Sequence, residues 1–285
     1  MAGKDIGGHL FGPPLIRVGI GGWLFPPWRG VFYPPGLPHA RELEFASSRL
    51  TAIEINTTFR QTRTPEIFRR WAAETPDTFM FTVKAPAAVV NRRVLAETGS
   101  AMARFFDSGV TELGAKLGPI LWQFAPTRRF DEGDVDAFLR MLPRERDGLP
   151  LRHALEVRDV SFTDPRFLAL ANGHGVAVVY ADSDVHPAIA DLTADFVYAR
   201  LQRGADTEPT CYPEAELDLW AERARIWAAG GEPEGLPRVG PRSPAQGRPR
   251  PVFIFFINSG KVRAPAAAQG LIARLTGNDA HPPGG

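Results

Sequence analysis

Eight stretches of the chain are apolar or alternate with a period of two, and most lead into a stretch with helical spacing. The apolar runs fall at residues 16–20, 52–56, 79–84, 120–123, 154–158, 176–180, 196–202 and 252–258. Helical patterns follow at 39–50, 66–74, 100–116, 135–141, 165–172, 214–229 and 265–275. Thr64 and Pro65 read as N-cap and first-turn residue of the second helix, and Gly173 as the C-cap of the fifth. Only the short segment 186–195 separates the sixth and seventh runs, too brief for a full crossover helix. The alternation predicts an α/β protein, a single (β/α)8 TIM-like barrel with a weak or missing helix between strands 6 and 7. A doubly wound sheet fits less well. Gly19-Ile20-Gly21-Gly22 is not a G-x-G-x-x-G phosphate loop, and no acidic residue follows at the distance that loop requires. The same glycines suggest close backbone approach or a strained exit from the first strand.

A second regularity concerns the polar residues. In 52–56, alternation puts Ala52, Glu54 and Asn56 on one face and Ile53 and Ile55 on the other. Other runs end in the same way: Thr82 and Lys84, Gln123, Glu156 and Arg158, Asp182, Arg200 and Gln202, and Asn258. Inward polar groups at strand C-termini are how a β/α barrel builds a site. Glu54 and Glu156 are the candidate catalytic pair, as general acid and base. Lys84, Arg158 and Arg200 suit an anionic group, with arginine offering bidentate geometry. Asn56, Gln123 and Asn258 would orient it, and Asp182 and Gln202 complete the ring. Trp23, nearest the strand end in a cluster with Phe25, Trp28, Phe32 and Tyr33, is the aromatic candidate for ligand contact. The competing structural readings are a neutral network, three cations against Glu54, Glu156 and Asp182, and an apolar plug over the barrel.

Composition narrows the setting. A chain of 285 residues with 44% hydrophobic content can bury the core of one barrel domain, placed at 16–276 between a flexible terminus (1–15) and tail (277–285). The segment 230–251, rich in proline and arginine and without periodicity, reads as a flexible surface insertion. Lys and Arg number 33 against 32 Asp and Glu, and the net charge of +1 supplies no bulk attraction to nucleic acid or an anionic membrane. Cys211 is the single cysteine, so no intrachain disulfide forms. With no secretory pattern and no membrane-spanning run, a cytoplasmic protein is expected. Cys211 also lacks an evident base to make it a nucleophile. Glu54, Glu156 and Asp182 are the carboxylates that could gather Mg²⁺ or Mn²⁺. However, His153 opens strand five at the opposite end and His186 lies in a loop, so no metal site and no cofactor is expected. Walker loop, zinc spacing and serine elbow are all missing from the sequence.

Several segments together carry a family resemblance: Gly22-Trp23, residues 28–34 (WRGVFYP), 54–59 (EINTTF), Lys84-Ala85-Pro86, 117–123 (LGPILWQ), Glu156-Val157-Arg158, Ala181-Asp182-Ser183 and 198–201 (YARL). In this order the chain resembles the YecE-like proteins, domain-of-unknown-function family 72, over nearly its whole length. The resemblance implies a barrel related in shape to TIM-barrel enzymes, with no established reaction attached. The departures fall on groups that move protons. Where that family reads E-F-R-H-x-S-W, this chain continues Arg158-Asp159-Val160-Ser161-Phe162, and its R-L-H-G is Arg200-Leu201-Gln202. Arg60 replaces a tyrosine, Asn91 stands where a histidine is common, and Ile257-Asn258 replaces a pair of asparagines. The expected function is an enzyme of hydrolase or lyase type acting on a small anionic or sugar-like compound. The alternatives are a metal-dependent nucleic-acid-processing barrel, similar to AP-endonuclease-type folds, and a non-catalytic ligand-binding protein.

Overall fold

A computed structural model describes residues 15–242 and 247–277; the expected flexible terminus and tail fall, apart from Leu15 and Gly277, outside the described residues. Apart from a small antiparallel ribbon pairing Glu145–Arg146 with Leu149–Pro150, the barrel strands are β1 (Ile16–Gly21), β2 (Ala52–Ile55), β3 (Met80–Lys84), β4 (Leu117–Gln123), β5 (His153–Glu156), β7 (Val197–Leu201) and β8 (Val252–Phe256). Between β5 and β7 lie two short segments, Ala177–Val178 and Tyr180–Asp182, halves of one strand β6 interrupted at Val179. They are the two ends of the hydrogen-bonded order: the first half pairs with β5 and the second with β7, and every pairing is parallel. The sheet therefore closes into a (β/α)8 TIM-like cylinder, and its nine segments make eight staves.

Alternation separates two cores. Ala52, Met80, Leu121, Ala154, Ala177, Val179, Tyr198, Phe253 and Phe255 fill the cylinder. Val18, Ile20, Ile53, Ile55, Phe81, Trp122 and Leu155 pack outward against the helices. Both sets are removed from water, so a register slip of one residue would turn each strand's polar end outward. Glycine permits the tight contact between β1 and β2. A Cβ on Gly19 would sit 1.9 Å from the Ala52 carbonyl oxygen, and one on Gly21 2.8 Å from Asn56 Nδ2. Gly22 then leaves the strand at φ +77°.

The helices are α1 (Glu42–Arg49), α2 (Pro65–Ala73), α3 (Ala87–Val90), α4 (Gly99–Asp107), α5 (Glu132–Met141), α6 (Pro165–His174), α7 (Glu214–Ala228) and α8 (Ala264–Thr276). Three differ from the sequence pattern, the short α3 having no counterpart in it. The helix expected at 100–116 ends at Asp107, because Gly109 turns left-handed at φ 90° and a separate 3₁₀ segment follows. Helix α6 runs through Gly173 and is capped by Gly175 at φ 67° instead. Among the described residues no helix joins β6 to β7, as expected.

Part of segment 230–251 lies against that helix-free connection. It has no helix or strand among its described residues, and several of its backbone groups have hydrogen-bond partners. Asp191 accepts hydrogen bonds from Val239 N (2.8 Å) and Gly240 N (2.9 Å), Ala190 N donates to Pro237 O (2.9 Å), and Leu236 is buried.

Candidate active site at the barrel mouth

The C-terminal ends of the strands carry a buried ion network. Glu54 ends the inward face of β2, Glu156 that of β5 and Arg200 that of β7, and none is more than 3% exposed. Arg200 donates from Nη2 to Glu54 Oε1 (3.0 Å), from Nε to Glu54 Oε2 (3.1 Å), and from Nη1 to Glu156 Oε2. Glu156 Oε1 accepts from Gln123 Nε2 (2.9 Å) and Arg158 Nε (2.8 Å). Tyr198 donates its hydroxyl to Glu54 Oε2 (2.7 Å), which leaves its oxygen to accept from Thr82 Oγ1 (2.9 Å). Burial works against charge on Glu156, but Arg200 and Arg158 outweigh it and hold the carboxyl at about 2. Burial likewise opposes the Arg200 charge, and Glu156 and Glu54 more than offset it, raising its pKa. Both carboxylates thus have arginine and further donors on their oxygens.

Above this network opens a cavity of about 450 Å³, lined among others by Asn56, Arg60, Lys84, Gln123, Arg158, Arg200, Asn258 and Lys261. Lys84 differs from Arg200. It forms no ion pair among the described residues, and its Nζ rests 4.1 Å from the centre of the Phe59 ring. Burial, aided by Arg200 and Arg158 and opposed by Glu54 and Glu156, brings its ammonium down to about 8. Asn258 sits at φ 68°, a conformation asparagine tolerates better than most residues, and donates from Nδ2 to Gln202 Oε1 (2.8 Å). Trp28, fully buried in the loop after β1, donates from Nε1 to the Lys261 carbonyl (2.7 Å) and so ties the first strand's loop to the eighth's.

The sequence model of the family described as "Protein of unknown function DUF72" matches residues 17–284. The chain belongs to this family. Among curated relatives it is 27% identical over 158 residues to the UPF0759 protein YunF of Bacillus subtilis (strain 168), covering 54% of each chain. It is also 27% identical over 143 residues to the UPF0759 protein YecE of Escherichia coli (strain K12), covering 49% of each. These alignments span about half the length of the curated relatives. A DUF72 family protein of Enterococcus faecalis V583 superposes with a TM-score of 0.67 at 16% identity, covering 92% of this chain and 95% of that one. One from Thermotoga maritima MSB8 gives 0.63 at 22% identity, covering 90% and 96%. At these identities the structures establish the shared barrel fold.

Within this DUF72 barrel, Glu54, Asn56, Lys84, Gln123, Glu156, Arg158, Arg200, Gln202 and Asn258 come together at one end. Two candidates do not join them. Asp182 pairs in register with Leu201, which faces the helices, whereas Ala181 pairs with Arg200. Residues in register share a face, so Asp182 points out of the cylinder. There it meets Arg203 Nε (2.8 Å) and Tyr212 Oη (3.4 Å). Strict alternation from Ala177 and Val179 would have placed it so. Trp23 turns aside as well, lining a neighbouring cavity and packing edge-on against Trp71 at 5.0 Å. With Asp182 elsewhere, the three carboxylates considered for Mg²⁺ or Mn²⁺ do not meet. Among the described residues no three of His, Cys, Asp and Glu form a group that could hold a metal.

Two mouth residues, Arg60 and Lys261, escaped the strand pattern because loops carry them, and His186 lies in a loop close enough to feel Arg158 and Glu156. Arg60 and Lys261 line the cavity itself. His186 Nδ1 is buried without a hydrogen-bond partner among the described residues, and burial followed by Arg158 lowers its pKa against the pull of Glu156. Five cations (Arg60, Lys84, Arg158, Arg200 and Lys261) thus line a cavity next to two carboxylates, and the neutral count expected from the strands does not hold. Cys211 is buried and directs Sγ to the Gly260 carbonyl at 3.3 Å, with burial pushing the thiol up to about 12. Among the described residues no helix is long and apolar enough to cross a membrane.

Proposed function

We propose that the mouth is the active site of an enzyme of hydrolase or lyase type acting on a small organic anion. The observation that carries this reading is Lys84, a partly buried cation facing the cavity with no carboxylate paired to it, among Arg60, Arg158 and Lys261. In this reading the acidic group of the substrate supplies the counter-charge Lys84 lacks, Arg158 and Lys261 share it, and Asn56, Gln123 and Asn258 orient the rest. Proton transfer moves from Glu54 and Glu156 to Lys84. The two carboxylates are committed to Arg200, and one of them stays ionised down to about 2. An ammonium with a pKa near 8 is charged at neutral pH, yet acidic enough to protonate a leaving group as its bond breaks.

The sign of the pH effect follows. Lys84 is charged below about 8, so both anion binding and turnover fall as pH rises through that value. Phosphorylated metabolites and sugar acids are the panel to screen, with calorimetry for binding and product release for turnover. Lys84→Met is expected to lose both activities. Lys84→Arg keeps the charge but not the transferable proton, so it is expected to hold KM within a few-fold while kcat falls by roughly 10²–10⁴. Anion binding that survives Lys84→Met unchanged, or turnover that survives Lys84→Arg, would refute the assignment.

A further inference from the structure

Beside the mouth, between the loop after β1 and helices α1 and α2, lies a second cavity of about 750 Å³. The two are continuous in their walls: Gly21, Asn56, Thr57 and Lys261 line both. Their characters differ. The mouth is ringed by amides and cations, whereas the side cleft has an apolar floor made by Trp23, Leu43, Ile67 and Trp71, with Arg63, Arg70 and Glu74 also in its lining. Leu24, also in its wall, is 57% exposed. Shared walls between a cationic compartment and one with an apolar floor suit a ligand that crosses from one to the other.

We infer that the substrate has two parts: an acidic head held at Lys84, and an aromatic or branched apolar body lying in the cleft over Trp23 and Trp71. This rests on the mouth being an anion site and extends it by naming the class of compound: amphipathic organic acids or phosphate esters, not bare small anions. Lys261 belongs to both compartments. Its Nζ sits 4.2 Å from the centre of the Phe25 ring in the cleft, and the same residue lines the mouth, so it marks where head gives way to body.

Calorimetric titration with inorganic phosphate and with 1-naphthyl phosphate tests this, at a pH about one unit or more below the Lys84 value of about 8. The naphthyl ester is expected to bind at least about tenfold more tightly, the effect of burying a modest part of an aromatic ring. Ala40→Trp, which fills the cleft from an exposed position in its wall, and Ile67→Gln, which makes its floor polar, are expected to abolish that gain and leave phosphate affinity unchanged. Having two variants guards against one failing to fold. Lys84→Met is expected to weaken both ligands. If phosphate binds through Lys84 but the naphthyl group adds nothing, or adds a gain that both cleft variants retain, the two-part ligand is wrong and the anion mouth stands. If neither compound binds, or binding ignores Lys84→Met, the mouth reading fails and takes this inference with it.

Discussion

Arg200 reaches Glu54 with two nitrogens and Glu156 with the third, so its removal would strand two carboxylates inside the barrel. Replacing one partner of a buried ion pair costs about 3–5 kcal/mol, chiefly because a charge is left without compensation. Arg200→Met is therefore expected to destabilise by at least that much. Glu156→Gln should cost less, since Arg200 keeps Glu54 and Gln123 keeps an amide oxygen to donate to. Urea denaturation of the two variants decides it. Equal losses would show that Arg200 is not the centre of the network. The same geometry shows what reading residues singly leaves out. Sequence identifies Glu54 and Glu156 as inward and polar, but only their distance to Arg200 shows that their oxygens are occupied. Lys84, grouped from sequence with Arg158 and Arg200, turns out to be the one of the three without a carboxylate partner.

At the level of elements, segment 230–242 is the informative case. Asp191 holds two of its backbone N–H groups, and the connection it lies against contains no helix. Asp191→Ala would leave both donors without their acceptor, at about 1–3 kcal/mol for each one that stays buried. It is expected to lower stability and to hasten proteolysis within 230–242. Unchanged cleavage there would mean the segment is held by something else. The strands and most helices were legible because their periods, two and 3.6, are written along the chain. The missing helix between strands 6 and 7 was legible too, from segment length alone. What covers that connection was not, because irregular chain held by side-chain-to-backbone hydrogen bonds has no period. Loop-borne Arg60 and Lys261 were hidden at the mouth for the same reason. Asp182 differs, since its parity was available and only careful counting along β6 was required.

For the whole molecule, acid should weaken the fold in two steps. His153 accepts from Trp122 Nε1 at Nδ1 (3.1 Å) and faces the Pro143 carbonyl with Nε2 (2.7 Å), a pair of contacts satisfied only by the neutral ring protonated at Nε2. Burial lowers its pKa from 6.5 to about 4, so between those values the unfolded chain takes up a proton that the folded chain refuses. Stability therefore declines as pH falls from about 6.5 toward 4. Glu156 adds a second loss: its ion pairs stabilise the fold above its ordinary value of 4.5, and that contribution disappears as pH falls toward about 2. Melting temperature against pH, for wild type and His153→Gln, separates the steps. The variant should flatten the upper one, and an identical slope would rule His153 out. The cylinder itself closes unevenly. On one side β6 is joined by just two registered pairs, Ala154 with Ala177 and Leu155 with Val178, whereas β1 meets β8 along five. A hoop with one thin seam parts there before it parts anywhere else. Any breathing motion that admits a bulky guest to the rim should therefore begin at the join between β5 and β6, half a turn away from the loops that Trp28 laces together.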